Sequence, residues 1–141
     1  MAIRNAEAEW TGNLRDGKGQ MKLESTAFEG PYSFRSRMEE GPGTNPEELI
    51  GAAHAGCFSM ALSAQLTTAG FAPTRIHTTA KVHLDRAGQG FEISRIDLQT
   101  EAEVSGIDDA AFQEQAETAK KNCPVSKALA GTKINLEATL L

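Results

Sequence analysis

The sequence predicts an α+β fold in which antiparallel sheets surround a long buried central helix. Three segments of alternating hydrophobicity lie between residues 5 and 38, and a long apolar helix follows over residues 45–68. Two more alternating segments, residues 74–84 and 91–104, precede two helices and a final strand over residues 133–140. Strands grouped before and after helices favour an α+β fold over a parallel α/β sheet.

The N-terminal part is predicted to form three strands because its apolar residues recur at every second position. These strands cover residues 6–10, 20–28 and 32–38. Glycine-rich turn chemistry over residues 15–19 separates the first two strands. In the third strand, Arg35 and Arg37 are two residues apart, so we expect them to share one face.

The central helix has clear start and stop signals. Asn45 is a good N-cap, and Glu48 stands three residues later, as in a capping box. We expect the helix to run to about Thr68 and to stop at Gly70.

This helix is apolar on nearly all sides, which predicts that it is buried. It also contains Gly51 and Gly56, and a glycine inside a helix costs ~1 kcal/mol relative to alanine. The two glycines therefore indicate that another element packs very close. Because one chain of 141 residues is short for covering such a helix, we predict a dimer with a shared core.

Helices also dominate the segment before the last strand. Asp108 is a suitable cap for a helix through Lys121, and Pro124 begins a short helix that ends near Gly131. The predicted order is β-β-β-α-β-β-α-α-β in a single domain over residues 1–141.

Composition narrows the function classes. The chain is 40% hydrophobic and 23% charged with a net charge of −5, which indicates a soluble globular protein and disfavours nucleic-acid binding. The longest apolar run is interrupted by His54, Ser59 and Ser63, so we expect no membrane span. The N-terminus lacks an apolar signal segment, which predicts a cytoplasmic location. Two cysteines and three scattered histidines do not make a structural zinc site, so no metal is expected.

The two cysteines stand in different surroundings. Cys57 lies in the middle of the central helix, whereas Cys123 precedes Pro124 at a helix start, where unpaired backbone amides favour a thiolate. In a reducing cytosol, such a pair suits one nucleophile and one resolving thiol, the minimum set for reducing a peroxide. Inert packing is the alternative for Cys57, and a free packing thiol is the alternative for Cys123.

A reactive Cys57 requires a cation from elsewhere, because the middle of a helix gives no dipole assistance. His54, one turn away, is a candidate base, and Arg35 and Arg37 are better candidates for the cation. Glu47 precedes Cys57 by ten residues, about 15 Å along one helix. Within one chain we do not expect Glu47 to act beside that thiol, whereas in a two-fold dimer the partner's Glu47 could.

Four motifs resemble the OsmC/Ohr family, the osmotically inducible protein C and organic hydroperoxide resistance group. They are residues 10–19, 34–37, 43–62 and 123–126. The resemblance covers essentially the whole chain and follows the OsmC branch. It implies thiol-dependent peroxidases that act as intertwined homodimers with two sites at the interface.

The resemblance also implies a role for each site residue. Cys57 corresponds to the peroxidatic cysteine, Cys123 to the resolving cysteine, Glu47 to the supporting carboxylate and Arg37 to the activating cation. Arg15, in an Arg-Asp-Gly stretch typical of the Ohr branch, is the alternative for the cation. We further predict that the partner's Glu47 holds Arg37 in a bidentate grip.

The implied cycle reduces organic hydroperoxides, and hydrogen peroxide, through a sulfenic acid on Cys57 and a Cys57–Cys123 disulfide. A dithiol, for which the family suggests lipoylated proteins, then restores both thiols. No metal, flavin or haem cofactor is required. Two other functions fit the same residues: a redox sensor or binding module without turnover, and a structural domain with inert cysteines.

Overall fold

The computed structural model describes all residues from 1 to 141, in two compact units, Met1–Leu49 and Ile50–Leu141. The strands are β1 (Ala6–Thr11), β2 (Lys18–Leu23), β3 (Glu29–Tyr32), β4 (Pro73–Ala87), β5 (Gly90–Val104) and β6 (Lys133–Leu140). The helices are α1 (Phe34–Met38), α2 (Pro46–Thr68), α3 (Asp109–Asn122) and α4 (Pro124–Ala128). Because α2 begins in one unit and continues into the other, the single domain stays a prediction.

The first unit is built on an antiparallel sheet in the order β1-β2-β3. Gly19 lies opposite Trp10 on one side and opposite Tyr32 on the other, and the two aromatic rings are 5.4 Å apart across it. A side chain at Gly19 would overlap the Tyr32 ring. Glycine at this position therefore lets the two aromatic rings pack over the middle strand.

The predicted third strand over residues 32–38 is wrong, because β3 ends at Tyr32 and α1 follows. Ser33 and Ser36 form a reciprocal capping box: the Ser33 hydroxyl accepts from the Ser36 amide at 3.1 Å, and the Ser36 hydroxyl accepts from the Ser33 amide at 2.8 Å. This pairing satisfies orphan amides and favours a helical turn over an extended chain. Arg35 and Arg37 thus lie in a short helix, not on one strand face.

The second strand is also shorter than predicted. It ends at Leu23, and a turn leads to β3 at Glu29. The Leu23 amide donates to the Phe28 carbonyl at 3.0 Å, and Thr26 adopts a positive φ of 62° within the turn. The alternation through Phe28 therefore continues across a turn that reverses the chain.

The second unit contains a sheet in the order β4-β5-β6. β4 and β5 form the predicted antiparallel hairpin, with Ala87 paired to Gly90. β6 runs parallel to β5, which corrects the expectation of purely antiparallel sheets. The physical reason is the connection: α3 and α4 lie between β5 and β6, and a crossover of this length is what parallel neighbours need.

One stripe of α2 packs into the core of the second unit. Its members Phe58, Leu62 and Leu66 are fully buried. They share one cluster with residues of β5 and α3, namely Ile96, Leu98, Ala102, Phe112, Ala116 and Ala119. Burying each large side chain contributes about 1.5–3 kcal/mol, so this stripe fixes how α2 lies on the sheet.

The predicted ends of α2 are confirmed. Asn45 caps the helix by accepting from the Glu48 amide at 2.8 Å, and Gly70 follows the last turn with a φ of +94°.

The expectation that α2 is buried on all sides is wrong for a single chain. A stripe at four-residue spacing is exposed, and it consists of Ala52, Gly56, Met60 and Ala64. The apolar pattern of a helix does not tell whether each of its faces is covered by the same chain.

By length and composition alone, α2 is also apolar enough to cross a membrane. Its best 18-residue window has a mean hydropathy of 1.3, and 28% of that window is buried. The expectation that the chain has no membrane span stays a prediction.

Removing the capping box is expected to destabilise α1. Ser33→Ala deletes the acceptor for the Ser36 amide, which should lower the free energy of unfolding by ~1 kcal/mol. Amide exchange at Arg37 and Glu39, whose amides close the turn, should accelerate. Ser105→Ala, at an exposed turn after β5, is the control. Equal urea midpoints and equal exchange in both variants would contradict the prediction.

Candidate active site

The two cysteines meet inside the second unit. Cys57 lies in the middle of α2, and Cys123 lies at the junction of α3 and α4. Both thiols are free, and their Sγ atoms are 2.8 Å apart. A disulfide bond is about 2.05 Å long, so bond formation requires a shift of less than about 1 Å between the sulfurs. The structure therefore brings together the two thiols that the sequence analysis pairs.

Backbone hydrogen bonds from both helices hold Cys123. Its amide donates to the Ala119 carbonyl at 2.9 Å, and its carbonyl accepts from the Lys127 amide at 3.0 Å. The side chain is fully buried, whereas Cys57 is half-buried. Cys123 thus ends α3 and caps α4 at once, which fixes the direction of its thiol.

The surroundings of the pair favour the charge on Cys123. Burial alone would raise the pKa of Cys123, but the neighbouring Cys57 thiol, the Ser126 amide and hydroxyl, and the Val125 amide lower it. Burial raises the pKa of Cys57, and the hydrogen bond to Cys123 raises it further against a smaller opposing effect of the Val125 amide. Negative charge in this coupled pair is therefore better stabilised on Cys123 than on Cys57.

The neighbours that set the pKa of Cys57 are another thiol and a backbone amide. Neither neighbour is a cation. The expectation that a reactive Cys57 needs a cation from elsewhere stays a prediction.

His54 has a partner that sequence reasoning missed. Its Nε2 lies 2.8 Å from the Ser126 hydroxyl, and both side chains are buried. The other ring nitrogen, Nδ1, is buried without a hydrogen-bond partner. Burial lowers the pKa of His54, so the ring is neutral near pH 7. Ser126 was visible only as the last residue of the Cys-Pro-Val-Ser segment, three positions after Cys123.

Arg37 and Glu47 form a bidentate ion pair inside the first unit. Arg37 Nε donates to Glu47 Oε1 at 3.0 Å and to Oε2 at 3.2 Å, and Nη2 donates to Oε1 at 2.7 Å. The Glu47 side chain is 10% exposed and that of Arg37 is 40% exposed. The predicted bidentate grip exists, but the carboxylate comes from the same chain. The assignment to the partner's Glu47 is therefore corrected.

The local chain path explains this pairing. The Ser36 hydroxyl donates to the Thr44 carbonyl at 2.7 Å, and the Asn45 amide side chain donates to the Ser36 carbonyl at 3.0 Å. These bonds tie α1 to the first turn of α2, where Glu47 lies. Arg37 therefore reaches Glu47 within one chain because α1 folds back onto the start of α2.

Arg15, the alternative cation, has a different partner. Its guanidinium carbon lies 4.6 Å from the centre of the Phe34 ring, a cation–π geometry. Arg15 thus packs on an aromatic face, whereas Arg37 is held by a carboxylate in a fixed orientation. The choice of Arg37 as the activating cation stays a prediction.

The geometry defines a protein with two free thiols in contact and with a bidentate arginine–carboxylate pair, and comparisons identify its family. Residues 39–137 match the family model of OsmC-like proteins. The chain is 50% identical over 127 residues to peroxiredoxin OsmC of Escherichia coli (strain K12), covering 89% of each protein. It is 34% identical over 99 residues to the organic hydroperoxide resistance protein OhrA of Bacillus subtilis (strain 168), which is 69% of this chain and 65% of OhrA.

The fold agrees with solved structures. The crystal structure of an OsmC-like protein from Mycoplasma pneumoniae superimposes with a TM-score of 0.76 at 16% identity, over 99% of this chain and 98% of that chain. The chain therefore belongs to the OsmC family, as its four motifs predict, and the predicted α+β, OsmC-like fold is confirmed.

Proposed function

We propose that the chain is a cysteine-based peroxidase of the cytoplasm that reduces organic hydroperoxides, and hydrogen peroxide, through Cys57 and Cys123. The observation that carries this proposal is the 2.8 Å contact between the two free thiols in a chain of the OsmC family. Relatives named peroxiredoxin OsmC and organic hydroperoxide resistance protein OhrA support the reaction class.

The reactants of the cycle are the two thiols, a peroxide and a dithiol. The Cys57 thiolate attacks one oxygen of the O–O bond, which breaks; the other oxygen takes a proton and leaves as an alcohol or water. The sulfenic acid on Cys57 then condenses with Cys123 to a disulfide and water. A dithiol reductant exchanges with this disulfide and returns both thiols while it is itself oxidised.

Formation of the Cys57 thiolate requires a cation, and Arg37 of the partner subunit is our candidate. Along the continuous helix α2, Glu47 and Cys57 are separated by a rise of about 15 Å. Because Glu47 binds Arg37 of the same chain, one chain would contribute both residues to a site. We therefore propose a homodimer in which each site combines the thiols of one chain with the Arg37–Glu47 pair of the other.

The exposed stripe of α2 supports this dimer. Its four residues are apolar and small except for Met60, which is 76% exposed. A side chain at Gly51 would contact Val82 of the same chain, whereas nothing lies within 4 Å of the position that a side chain at Gly56 would take. The glycine at 56 is therefore not required by the packing of its own chain, and close approach of a second copy explains it.

The ion pair leaves part of the guanidinium available. Glu47 engages Nε and Nη2 of Arg37, and the donors on Nη1 remain for a peroxide. Since the Glu47 carboxylate offsets much of the positive charge, we assign Arg37 a second task. It donates hydrogen bonds that orient the peroxide and stabilise charge on the departing oxygen.

The two thiols should have separable roles. Cys57→Ser is expected to abolish peroxide turnover, since no other group attacks the O–O bond. Cys123→Ser should consume one equivalent of peroxide rapidly and then stop, with Cys57 advancing to sulfinic acid. Stopped-flow kinetics and intact mass measure both outcomes. Turnover by Cys57→Ser, or exchanged phenotypes, would show that the roles are misassigned.

A mixing experiment tests whether sites are shared between chains. Arg37→Ala and Cys57→Ser should each be strongly impaired alone. If they are refolded together in equal amounts, half of the dimers are mixed and each contains one complete shared site, so about a quarter of the wild-type activity should return. Glu47→Ala in place of Arg37→Ala should behave alike, because one chain supplies both residues.

The matched control replaces the Cys57→Ser partner by a Cys57→Ser, Arg37→Ala double variant, which leaves no complete site in any dimer. Activity that fails to rise above this control would refute the shared site. Sedimentation of each mixture confirms that dimers have formed.

Replacing Arg37 separates ionisation from positioning. Lowering a thiol pKa from ~8.5 by roughly two units raises its thiolate fraction at pH 7.5 from about a tenth to about nine-tenths, only about tenfold. Arg37→Lys keeps the charge but loses the planar fork, so it should preserve the Cys57 pKa better than the peroxide rate. Arg37→Ala should lower the peroxide rate by a larger factor than it lowers the thiolate fraction of Cys57. If the two factors are equal, the positioning role is excluded. If neither the rate nor the Cys57 pKa changes, the activating cation is reassigned to Arg15.

A further inference from the structure

Two buried polar side chains, those of His54 and Ser126, take no part in the cycle proposed above. His54 Nε2 lies 2.8 Å from Ser126 Oγ, and the two residues are 0% and 6% exposed. Ser126 lies in the first turn of α4, which Cys123 precedes, and its amide and hydroxyl lower the pKa of the Cys123 thiol. That sulfur contacts Cys57 Sγ at 2.8 Å. Four side chains thus follow one another in the order His54, Ser126, Cys123 and Cys57.

The direction of these hydrogen bonds follows from the number of protons. A serine hydroxyl has a single proton to donate, and a thiolate only accepts. If Ser126 donates to Cys123, its oxygen must accept from His54, so the imidazole carries its proton on Nε2. Nδ1 is then an acceptor, and it is the buried atom without a partner. Since an unpaired buried nitrogen is unfavourable, packing alone does not account for a histidine here.

We propose that His54 and Ser126 are positioning residues that activate Cys123 for its attack on the oxidised Cys57, so that they set the rate of disulfide formation and not that of peroxide reduction. The proposal rests on the peroxidase cycle proposed above. His54 acts through Ser126, which it orients by donating to the hydroxyl oxygen. Ser126 then directs its own proton at the sulfur of Cys123.

The step that they assist is balanced without a further reactant. The Cys123 thiolate attacks the sulfur of the Cys57 sulfenic acid, the S–S bond forms, and the S–O bond breaks. The departing hydroxide takes up one proton and leaves as water. The oxidising equivalents come from the peroxide that formed the sulfenic acid. Donors at Cys123 favour this step because they stabilise the attacking thiolate.

The contacts predict different effects on the two steps. Ser126 acts on the pKa of Cys123, whereas the backbone group that acts on Cys57 is the Val125 amide. Removing the Ser126 hydroxyl therefore destabilises the Cys123 thiolate and takes no contact from Cys57. Peroxide reduction should then be unchanged while disulfide formation slows. A merely structural loss would slow both steps.

The first measurement requires no peroxide. In a Cys57→Ser background, where Cys123 is the only thiol, the thiolate absorbance is titrated. We expect Ser126→Ala to raise the pKa of Cys123 by about one unit, a tenfold change in its ionisation constant, and Ser126→Thr to restore it. His54→Gln, whose amide keeps a donor near the Nε2 position, should resemble the parent, whereas His54→Leu should resemble Ser126→Ala. Cys57 is the titratable side chain in contact with Cys123. The next titratable side chain in the series of contacts is His54, which contacts Ser126.

The second measurement follows single turnovers with both cysteines present. Ser126→Ala should lengthen the life of the sulfenic acid about tenfold, since one unit of pKa is a tenfold change in thiolate at a pH below it. Trapping of the sulfenic acid and sulfinic acid yield both report this lifetime. Ser59→Ala is the control, because Ser59 lies on α2 like His54, donates to Thr78 at 2.8 Å and is not among the groups that shift the pKa of Cys123.

Unchanged Cys123 titrations in Ser126→Ala and His54→Leu would overturn the proposal, whatever the fate of the peroxidase assignment. Equal slowing of both steps, or the same shift in Ser59→Ala, would also overturn it. A normal Cys123 shift in a protein that never consumes peroxide would instead count against the proposed function alone. If Ser126→Ala does not fold, the Cys123 pKa is compared between the two His54 variants. A higher pKa in His54→Leu than in His54→Gln supports the proposal, and equal values contradict it.

Discussion

The packing of α2 on the second sheet positions the thiol pair. Phe58 and Leu62, which follow Cys57 on the helix, are fully buried in a cluster with β5 and α3. The same α3 ends at Cys123, so one core holds both thiol-bearing segments. Because interiors are close-packed, neither segment shifts easily without disturbing the other. The sulfurs are therefore in contact before any chemistry, and oxidation does not have to bring them together.

The shared site that we propose would combine two groups that differ in charge. Apart from the thiols themselves, the groups that act on the pKa values of the two thiols are amides and a hydroxyl, and none is a cation. Arg37, in the first unit, is a cation whose charge is largely balanced by Glu47. A balanced pair shifts a neighbouring thiol less than a free guanidinium does, but its donors point in one direction. This arrangement favours a role in orienting a bound oxygen over a role in ionisation alone.

How far the sequence predicts this structure depends on the kind of signal. The ends of α2 follow from Asn45 and Gly70, because caps act locally. The sequence predicts a strand where α1 forms, because five residues are too few to show a helical period. Only the reciprocal serines, Ser33 and Ser36, indicate this helix. The alternation of apolar residues does not reveal the direction of β6, because half-buried parallel and antiparallel strands alternate in the same way. The Arg37–Glu47 pairing within one chain depended on α1 and was missed with it.

The outer face of α2 shows where reasoning from one chain ends. An all-round apolar helix predicts burial, but the pattern does not say which molecule covers each face. In the structure, one stripe is covered by the chain itself and the other is exposed. Gly51 is explained by its neighbour Val82, whereas Gly56 has open space around it. Since a glycine inside a helix costs ~1 kcal/mol, its presence where nothing in the chain approaches needs an outside cause. A second copy packed along this stripe would supply that cause, and it would bring an arginine to a thiol that has no cation of its own.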